Sequence, residues 1–145
     1  MTAGQLCSRI VASVAPDESV RVAAQRMAEF DVGTLVVLKE NRGSHATGVV
    51  TDRDIALRCI AERLDPSETP VSEIMTTPVQ TVGDGVSIEE AISAMASAGT
   101  RRLIVTGEGN RVAGILSLDD VLALMVRQTA AIGRLLEKQQ PKIPA

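Results

Sequence analysis

The sequence predicts an α+β protein made of two copies of one structural unit, and three observations predict it. Two amphipathic helical segments, residues 19–30 and 87–98, carry their apolar side chains at the same offset of 68 positions. The phrase "GVVTDRDI" at 48–55 returns as "GILSLDDV" at 114–121, an offset of 66. Hydrophobic residues make up 45% of the 145 residues, which is typical of a chain with a buried core. Repetition of this kind indicates one supersecondary unit used twice.

The two helical segments each begin at a serine and bury one face. Ser19 and Ser87 stand directly before the apolar pattern, where a serine hydroxyl accepts a hydrogen bond from the first helical turn. The apolar positions then recur with the spacing of one helix face. They are Val20, Ala23, Ala24, Met27 and Ala28 in the first copy, and Ile88, Ala91, Ile92, Met95 and Ala96 in the second.

Short runs rich in β-branched residues predict three strands in each copy. They are residues 9–14, 34–38 and 47–51 in the first copy, and residues 78–82, 102–106 and 112–117 in the second. A polar hairpin loop separates the last two strands, "KENRGSHA" in the first copy and the shorter "GEGN" in the second. A second helix closes each unit, at 52–64 and at 118–139.

Each unit therefore has the order β-α-β-β-α, and a proline-containing segment at 63–78 links the two. We expect repeat 1 at residues 6–66, repeat 2 at 67–126, and a C-terminal helix extension and tail at 127–145. Because a unit of about 60 residues buries too little surface to be stable alone, the repeats should pack through their small sheets about a pseudo-twofold axis and share one core. The overlong closing helix carries an apolar stripe that predicts a homodimer.

Composition argues against several functions. A net charge of −3 and a single aromatic residue do not favour nucleic acid. Cys7, Cys59 and the only histidine, His45, lack metal-ligand spacing, so we expect no metal site. We find no Ser–His–Asp set and no P-loop, and we expect no catalytic residues and no enzyme. Without a signal peptide or a spanning apolar run, we expect a soluble, cytoplasmic protein with no membrane partner.

The doubled phrase allows two interpretations of Thr51 with Asp54 and of Ser117 with Asp120. A hydroxyl followed three residues later by an acid at a helix start is typical of a capping box. Alternatively, the carboxylate accepts hydrogen bonds from the two hydroxyls of a ribose, while the free N–H groups of the helix start bind phosphate. Because glutamate is the usual capping partner, we expect the shorter aspartate to reach back less well, which leaves its carboxylate facing outward. The residues alone leave both interpretations open.

The sequence resembles the tandem cystathionine β-synthase (CBS, or Bateman) domain pair. The residues that carry the likeness are the two phrases, the middle-strand runs "VGTLVVL" and "TRRLIV", and "VSEIMTTPVQTV" before the second copy. The resemblance implies a regulatory module that binds an adenine nucleotide (AMP, ADP or ATP) in clefts between the repeats. Some members bind S-adenosylmethionine or NAD instead. It also implies signal transduction to a partner protein, which the sequence does not identify. The alternative is a ligand-free structural dimerisation module.

The resemblance also assigns expected roles to residues. Asp54 and Asp120 would hold ribose hydroxyls, and Thr51 and Ser117 would lie near the phosphates. The remaining expected cleft residues are Gly33, Thr34, Arg101 and Arg102 at the middle strands, and Val14, Pro78 and Val79 beside the adenine. Phosphates next to an aspartate need cations, which Arg53, Arg101 and Arg102 are placed to supply. Since only the first phrase contains an arginine, we expect unequal sites, with the first the better phosphate binder.

Overall fold

Two similar sheet-and-helix units form the protein, as the repeat predicts. The computed structural model describes residues 1–39, 45–141 and 143–144. Its helices and strands are α1 (Ala3–Leu6), β1 (Ser13–Val14), α2 (Val20–Phe30), β2 (Thr34–Leu38), β3 (Ala46–Thr51), α3 (Asp52–Asp54), β4 (Thr81–Gly83), α4 (Ile88–Ala98), β5 (Arg102–Thr106), β6 (Val112–Ser117) and α5 (Leu118–Lys138). A π-helix spans Ile55–Ile60, and 3₁₀ turns lie at Val71–Glu73 and Glu108–Asn110.

Each repeat contains a three-stranded sheet, ordered β1-β2-β3 in repeat 1 and β4-β5-β6 in repeat 2. In both sheets the first strand runs parallel to the middle strand, and the third runs antiparallel to it. The antiparallel ladders shift register at equivalent places, between Val37 and Leu38 and between Val105 and Thr106. The α+β class and the two-repeat architecture are therefore confirmed.

The helix that follows the first strand of each repeat starts at the predicted serine. The Ser19 hydroxyl accepts a hydrogen bond from the Val22 N–H at 3.2 Å, and Ser87 accepts one from the Glu90 N–H at 3.2 Å. The buried face is narrower than the periodicity predicts, because each helix packs against its sheet along one row only. That row is Val20, Ala23 and Met27 in α2, and Ile88, Ala91 and Met95 in α4. The other predicted positions, Ala24, Ala28, Ile92 and Ala96, are exposed.

Other elements differ from the predicted lengths. The lead-in strands are short, since β1 and β4 hold only two and three residues. The helix predicted at 52–64 is one α-turn, α3, that widens into the π-helix and ends at Ile60. Its counterpart α5 runs for 21 residues. The predicted first hairpin loop includes residues 40–44, which lie outside the described residues.

The two repeats exchange the segments that precede them. Residues 1–8, the first leader, pack on repeat 2, and residues 69–76, the second leader, pack on repeat 1. Val71 and Ile74 belong to the core of repeat 1, whereas Ala3 and Cys7 belong to the core of repeat 2. The expected single shared core is therefore two cores, because each sheet buries one face under its own helices and the leader of the other repeat.

Backbone pairing fixes each leader beside the last strand of the repeat that it completes. Ser8 and Ile115 exchange two N–H···O bonds, of 2.9 and 3.0 Å. Thr76 and Val49, the equivalent pair, exchange bonds of 2.7 and 3.1 Å. The end of each leader therefore pairs with the edge strand that carries the start of the doubled phrase.

Candidate functional site

Two clefts open along the junction between the repeats. Cleft 1 has a volume of about 290 Å³ and is lined by Thr51 of the first phrase together with Thr76, Pro78 and Val79 of the segment that leads into repeat 2. Cleft 2 has a volume of about 900 Å³ and is lined by Ser117 and Asp120 of the second phrase. Its opposite wall is the segment leading into repeat 1, residues 10–13. Each cleft thus combines the doubled phrase of one repeat with the lead-in of the other.

Thr34 and Arg102 line both clefts. They are equivalent residues in the two repeats, since each is the first residue of its middle strand, β2 or β5. Each therefore lies between the two clefts. The Thr34 hydroxyl is buried and has no hydrogen-bond partner. Within the described part of the chain, the Arg102 guanidinium forms no ion pair or side-chain hydrogen bond. A ligand in either cleft therefore meets the guanidinium of Arg102, which no described carboxylate pairs, whereas the Thr34 hydroxyl oxygen is closed off from both clefts.

Both phrases form complete capping boxes. The Asp54 N–H donates to Thr51 Oγ1 at 3.0 Å, and the Thr51 N–H donates to Asp54 Oδ2 at 3.0 Å. In the second phrase the Asp120 N–H donates to Ser117 Oγ at 3.1 Å, and the Ser117 N–H donates to Asp120 Oδ2 at 2.8 Å. The expectation that aspartate caps poorly is wrong, because at this position its shorter side chain reaches the cap N–H directly. Capping uses Oδ2 of each carboxylate and does not use Oδ1.

The second oxygen of Asp120 remains open. Oδ2 accepts the Ser117 N–H and also the Ser117 hydroxyl, at 2.7 Å. Oδ1 has no hydrogen-bond partner among the residues that the structure describes. Because Asp120 is half-buried and lines cleft 2, this oxygen is an acceptor held at the cleft wall.

Asp54 has a more crowded environment. Its carboxylate accepts from Thr76 Oγ1 at 3.3 Å and lies 3.7 Å from Arg58 Nε. The side chain is 11% exposed. Although Thr51 lines cleft 1, Asp54 itself is not among the residues that line it.

The remaining predicted site residues divide between the clefts and other places. Gly33 lines cleft 2. Arg101 lies at the surface, 3.5 Å from Asp119 Oδ1. Arg53 is exposed and lines neither cleft, which removes the ground for expecting the first phrase to be the better phosphate binder. Val14 is packed in the core of repeat 1, while its neighbours 11–13 line cleft 2.

Several residues that line the clefts were not predicted from the sequence, and Ile10 and Arg26 are two of them. Ile10 lines cleft 2 and is 91% exposed. The offset of 68 residues relates Ile10 to Pro78, which was a predicted site residue, so the repeat itself could have identified Ile10. Arg26 also lines cleft 2, but it sits on the polar face of α2, where nothing in the pattern marks it. Its guanidinium donates to Glu18 Oε1 at 2.6 Å, which lowers the pKa of the Glu18 carboxyl and raises the pKa of Arg26.

Within 1–39, 45–141 and 143–144, no three His, Cys, Asp or Glu side chains cluster as metal ligands do. Across the same residues, no helix is both long and apolar enough to cross a bilayer.

The comparisons with known proteins fit a fold of two repeats with clefts at their junction. The family model of the CBS domain matches residues 3–60 and again residues 71–127. The chain is 38% identical over 111 residues to the CBS domain-containing protein YhcV of Bacillus subtilis, covering 77% of this chain and 76% of that protein. This chain therefore belongs to the CBS domain family and contains two CBS domains.

Solved structures agree. The crystal structure of hypoxic response protein I with two coordinated zinc ions has a TM-score of 0.76 and 30% identity, covering 85% of this chain and 98% of that one. Hypoxic response protein 1 is a protein of Mycobacterium tuberculosis. A CBS domain protein of Pyrobaculum aerophilum complexed with AMP has a TM-score of 0.74 and 28% identity, covering 83% and 89%. A hexameric CBS-CP12 protein of bloom-forming cyanobacteria has a TM-score of 0.73 and 27% identity, covering 84% and 69%.

Proposed function

We propose that this chain is a regulatory module that senses an adenine nucleotide, AMP, ADP or ATP, in the clefts between its two CBS repeats. One observation carries the proposal: Asp120, whose Oδ1 accepts no hydrogen bond from the described residues, lines a cleft that Arg102 also lines. A volume of about 900 Å³ lies within the usual range for small-molecule sites. The AMP complex of the Pyrobaculum aerophilum relative supports the same ligand class.

The chemistry of the cleft suits a nucleotide. The two adjacent hydroxyls of a ribose are donors, and an ionised carboxylate accepts such bonds more strongly than a neutral group does. The phosphates would meet the guanidinium of Arg102 at the cleft wall. The exposed Ile10 and the neighbouring Val11 offer an apolar surface for the base. Binding is the whole of the proposed activity, with no catalytic step, and we place it in the cytoplasm.

A nucleotide would act on a partner protein by shifting the population of conformations. It does so only to the extent that it binds one conformation more tightly than another. The clefts lie between the repeats, so their occupancy is coupled to how the repeats pack against each other. The partner that reads this change is a protein outside this chain.

Ligand-dependent thermal unfolding tests the proposal. AMP, ADP and ATP at millimolar concentration should raise the melting temperature, because a ligand that binds only the folded state stabilises it. GMP and inorganic phosphate serve as controls for base recognition and for anion binding. S-adenosylmethionine and NAD complete the screen, and a shift with either of them alone would change the ligand. If no adenine compound raises the melting temperature, the nucleotide-sensing proposal is wrong and the second candidate function, described next, is favoured.

That second candidate is a ligand-free structural module that forms a homodimer. The supporting observation is a set of large apolar side chains left exposed on the helices: Phe30, Ile92, Leu122, Met125, Val126, Leu135 and Leu136. Exposed apolar patches of this kind mark interaction surfaces. A second copy of this chain is the proposed occupant, because the unpaired length of α5 has no counterpart in repeat 1 and a related protein is hexameric.

Sedimentation velocity tests self-association. The wild type should sediment as a dimer at micromolar concentration, and Met125→Asp should shift it to monomer because a charge in an apolar interface is costly. Ala123→Asp adds the same charge to the same helix, at an exposed position on the opposite side from Met125, and should leave the dimer intact. A monomeric wild type would contradict the dimer without touching the nucleotide proposal.

A further inference from the structure

The two phrase aspartates occupy equivalent positions but have different neighbours. Asp120 presents an open Oδ1 to cleft 2, whereas the Asp54 carboxylate is engaged on both oxygens. Thr76 Oγ1 lies 3.4 Å from Oδ1 and 3.3 Å from Oδ2, and Arg58 Nε lies 3.7 Å from Oδ1. Both aspartates form the same capping box at the start of a helix. The difference between their carboxylates therefore comes from the neighbouring side chains.

Arg58 is the centre of the network around Asp54. Besides facing the carboxylate, its Nη1 donates to the carbonyl of Ile74 at 3.1 Å, to the carbonyl of Met75 at 3.3 Å and to Thr76 Oγ1 at 3.3 Å. Arg58 thus joins the helix after the first phrase to the second leader and holds Thr76 against Asp54. It sits in the π-helix, which is specific to repeat 1.

Repeat 2 lacks both members of this network. The residue equivalent to Arg58 is Leu124, which is buried and carries no donor. The residue equivalent to Thr76 is Ser8. The Ser8 hydroxyl donates to the carbonyl of Ile10, two residues further along the chain, at 3.4 Å, and not to Asp120. Among the described residues, the Asp120 carboxylate therefore accepts a side-chain hydrogen bond only from Ser117 Oγ, at Oδ2, and its Oδ1 is left open.

From these contacts we infer that cleft 2 is the primary nucleotide site and that Arg58, with Thr76, keeps Asp54 from holding ribose in cleft 1. The inference rests on the proposed function. A ribose entering cleft 2 meets an acceptor with no competing donor. A ribose entering cleft 1 must displace a hydroxyl and an arginine that are already in place, and it must reach the carboxylate of a side chain that is 11% exposed. The order of affinity is thus opposite to the one expected from Arg53.

Isothermal titration with AMP tests this order. The wild type should bind a single AMP per chain in its tighter phase. Asp120→Asn should weaken that phase by about tenfold or more, the effect of losing a hydrogen bond to a charged group. Asp54→Asn should leave it unchanged. Asparagine retains the oxygen that accepts the cap N–H, so both variants keep the helix start, and their melting temperatures without AMP check this.

Removing the network provides the second arm. Arg58→Leu installs the residue that repeat 2 has, and Thr76→Ala frees Asp54 without touching the carbonyls of Ile74 and Met75. Each should strengthen AMP binding at cleft 1 by about tenfold, so that a second AMP per chain binds within the titrated range. Arg53→Leu makes the same charge change in the preceding turn, α3, away from both clefts, and should leave the titration as in the wild type.

The outcomes separate the two proposals. Loss of the tighter phase in Asp54→Asn but not in Asp120→Asn, or equal loss in both, overturns the order of the sites and leaves the nucleotide-sensing function standing. No second AMP in either Arg58→Leu or Thr76→Ala overturns the role of the network. Absence of AMP, ADP and ATP binding in the wild type overturns both the function and the inference.

Discussion

Gly114 lies so close to Cys7 that a Cβ added to the glycine would stand 2.6 Å from the cysteine Sγ. The Ser8 carbonyl of the same leader is closer still. Gly48 repeats the relationship in repeat 1, where a Cβ would stand 2.7 Å from the Met75 sulfur. The glycine that opens each doubled phrase is therefore needed because a leader packs directly on its backbone.

We predict that Gly114→Ala lowers the free energy of unfolding by about 1 to 3 kcal/mol, the range for overpacking, because the Ser8 backbone has no room to move. Chemical denaturation measures the change. Gly85→Ala is the matched control, since a Cβ there meets nothing within 4 Å, and its effect should stay within about 0.5 kcal/mol. Equal stability of the two variants would contradict the close packing of the first leader.

The first leader should stabilise repeat 2 and not the repeat whose sequence it precedes. Ala3 is fully buried in the core of repeat 2, so Ala3→Glu should cost about 3 kcal/mol or more for an unpaired buried charge. Gln5→Glu places the same residue on the same short helix at an exposed position and should have little effect. Hydrogen exchange adds the location: β5 and β6 should lose protection before β2 and β3 do. Loss in β2 and β3 first would refute the exchanged packing.

Acid should destabilise the protein in part through Glu18. Its pKa is lowered, first by the hydrogen bond from Arg26, so its folded pKa lies below the unfolded value of about 4.3. A lowered carboxyl pKa contributes stability that is present above the unfolded pKa and is lost as the pH falls through the folded pKa. Glu18→Gln should therefore cost about 1 kcal/mol at pH 7 and flatten the loss of stability below about pH 4.

Urea denaturation between pH 7 and pH 3 measures both effects. Glu62→Gln removes one exposed carboxylate without a partner of this kind and should keep the wild-type pH profile. If Glu18→Gln retains the wild-type slope below pH 4, the ion pair with Arg26 does not contribute as the contacts indicate.

The substitution Thr34→Val should change the free energy of unfolding and AMP binding to different extents. Its buried hydroxyl has no partner, so Thr34→Val should raise the free energy of unfolding without nucleotide by about 1 kcal/mol. Because the hydroxyl oxygen is closed off from both clefts, the same change should leave AMP binding unchanged in a titration. Thr47→Val is the control: its hydroxyl donates to the Val37 carbonyl at 3.2 Å, so this variant should lose stability and leave AMP binding unchanged. A destabilised Thr34→Val would show that the hydroxyl is satisfied in the folded state.

Much of the fold follows from local patterns. The strands β2, β5 and β6 and the caps at Ser19 and Ser87 lie where periodicity and capping preference put them, because these features depend on neighbouring residues. The exchange of the leaders was not predictable in this way. It depends on which sheet edge each leader meets, a contact between residues far apart in the sequence, and the first leader matches the second only weakly in its side chains.

The candidate site was predictable at the level of the phrase but not of its surroundings. The repeat marks Thr51, Asp54, Ser117 and Asp120 as equivalent, and sequence spacing brings each pair together across a helix start. The environment of each carboxylate depends on side chains from other elements. Arg58 belongs to a helix that widens to a π-turn, and Thr76 belongs to a leader from the other side of the junction, so neither was associated with Asp54 in the sequence.

The exchanged leaders have a consequence for how such a chain arises and how it can be divided. A fragment that ends in the linker, before residue 69, would contain repeat 1 without the second leader that completes its core. The complementary fragment would contain repeat 2 without the first leader, residues 1–8. Two such fragments should therefore reassemble by complementation, and an ancestral single repeat would have completed its core by lending its leader to a second molecule. Gene duplication and fusion would then convert that domain-swapped pair into one polypeptide without moving a single contact.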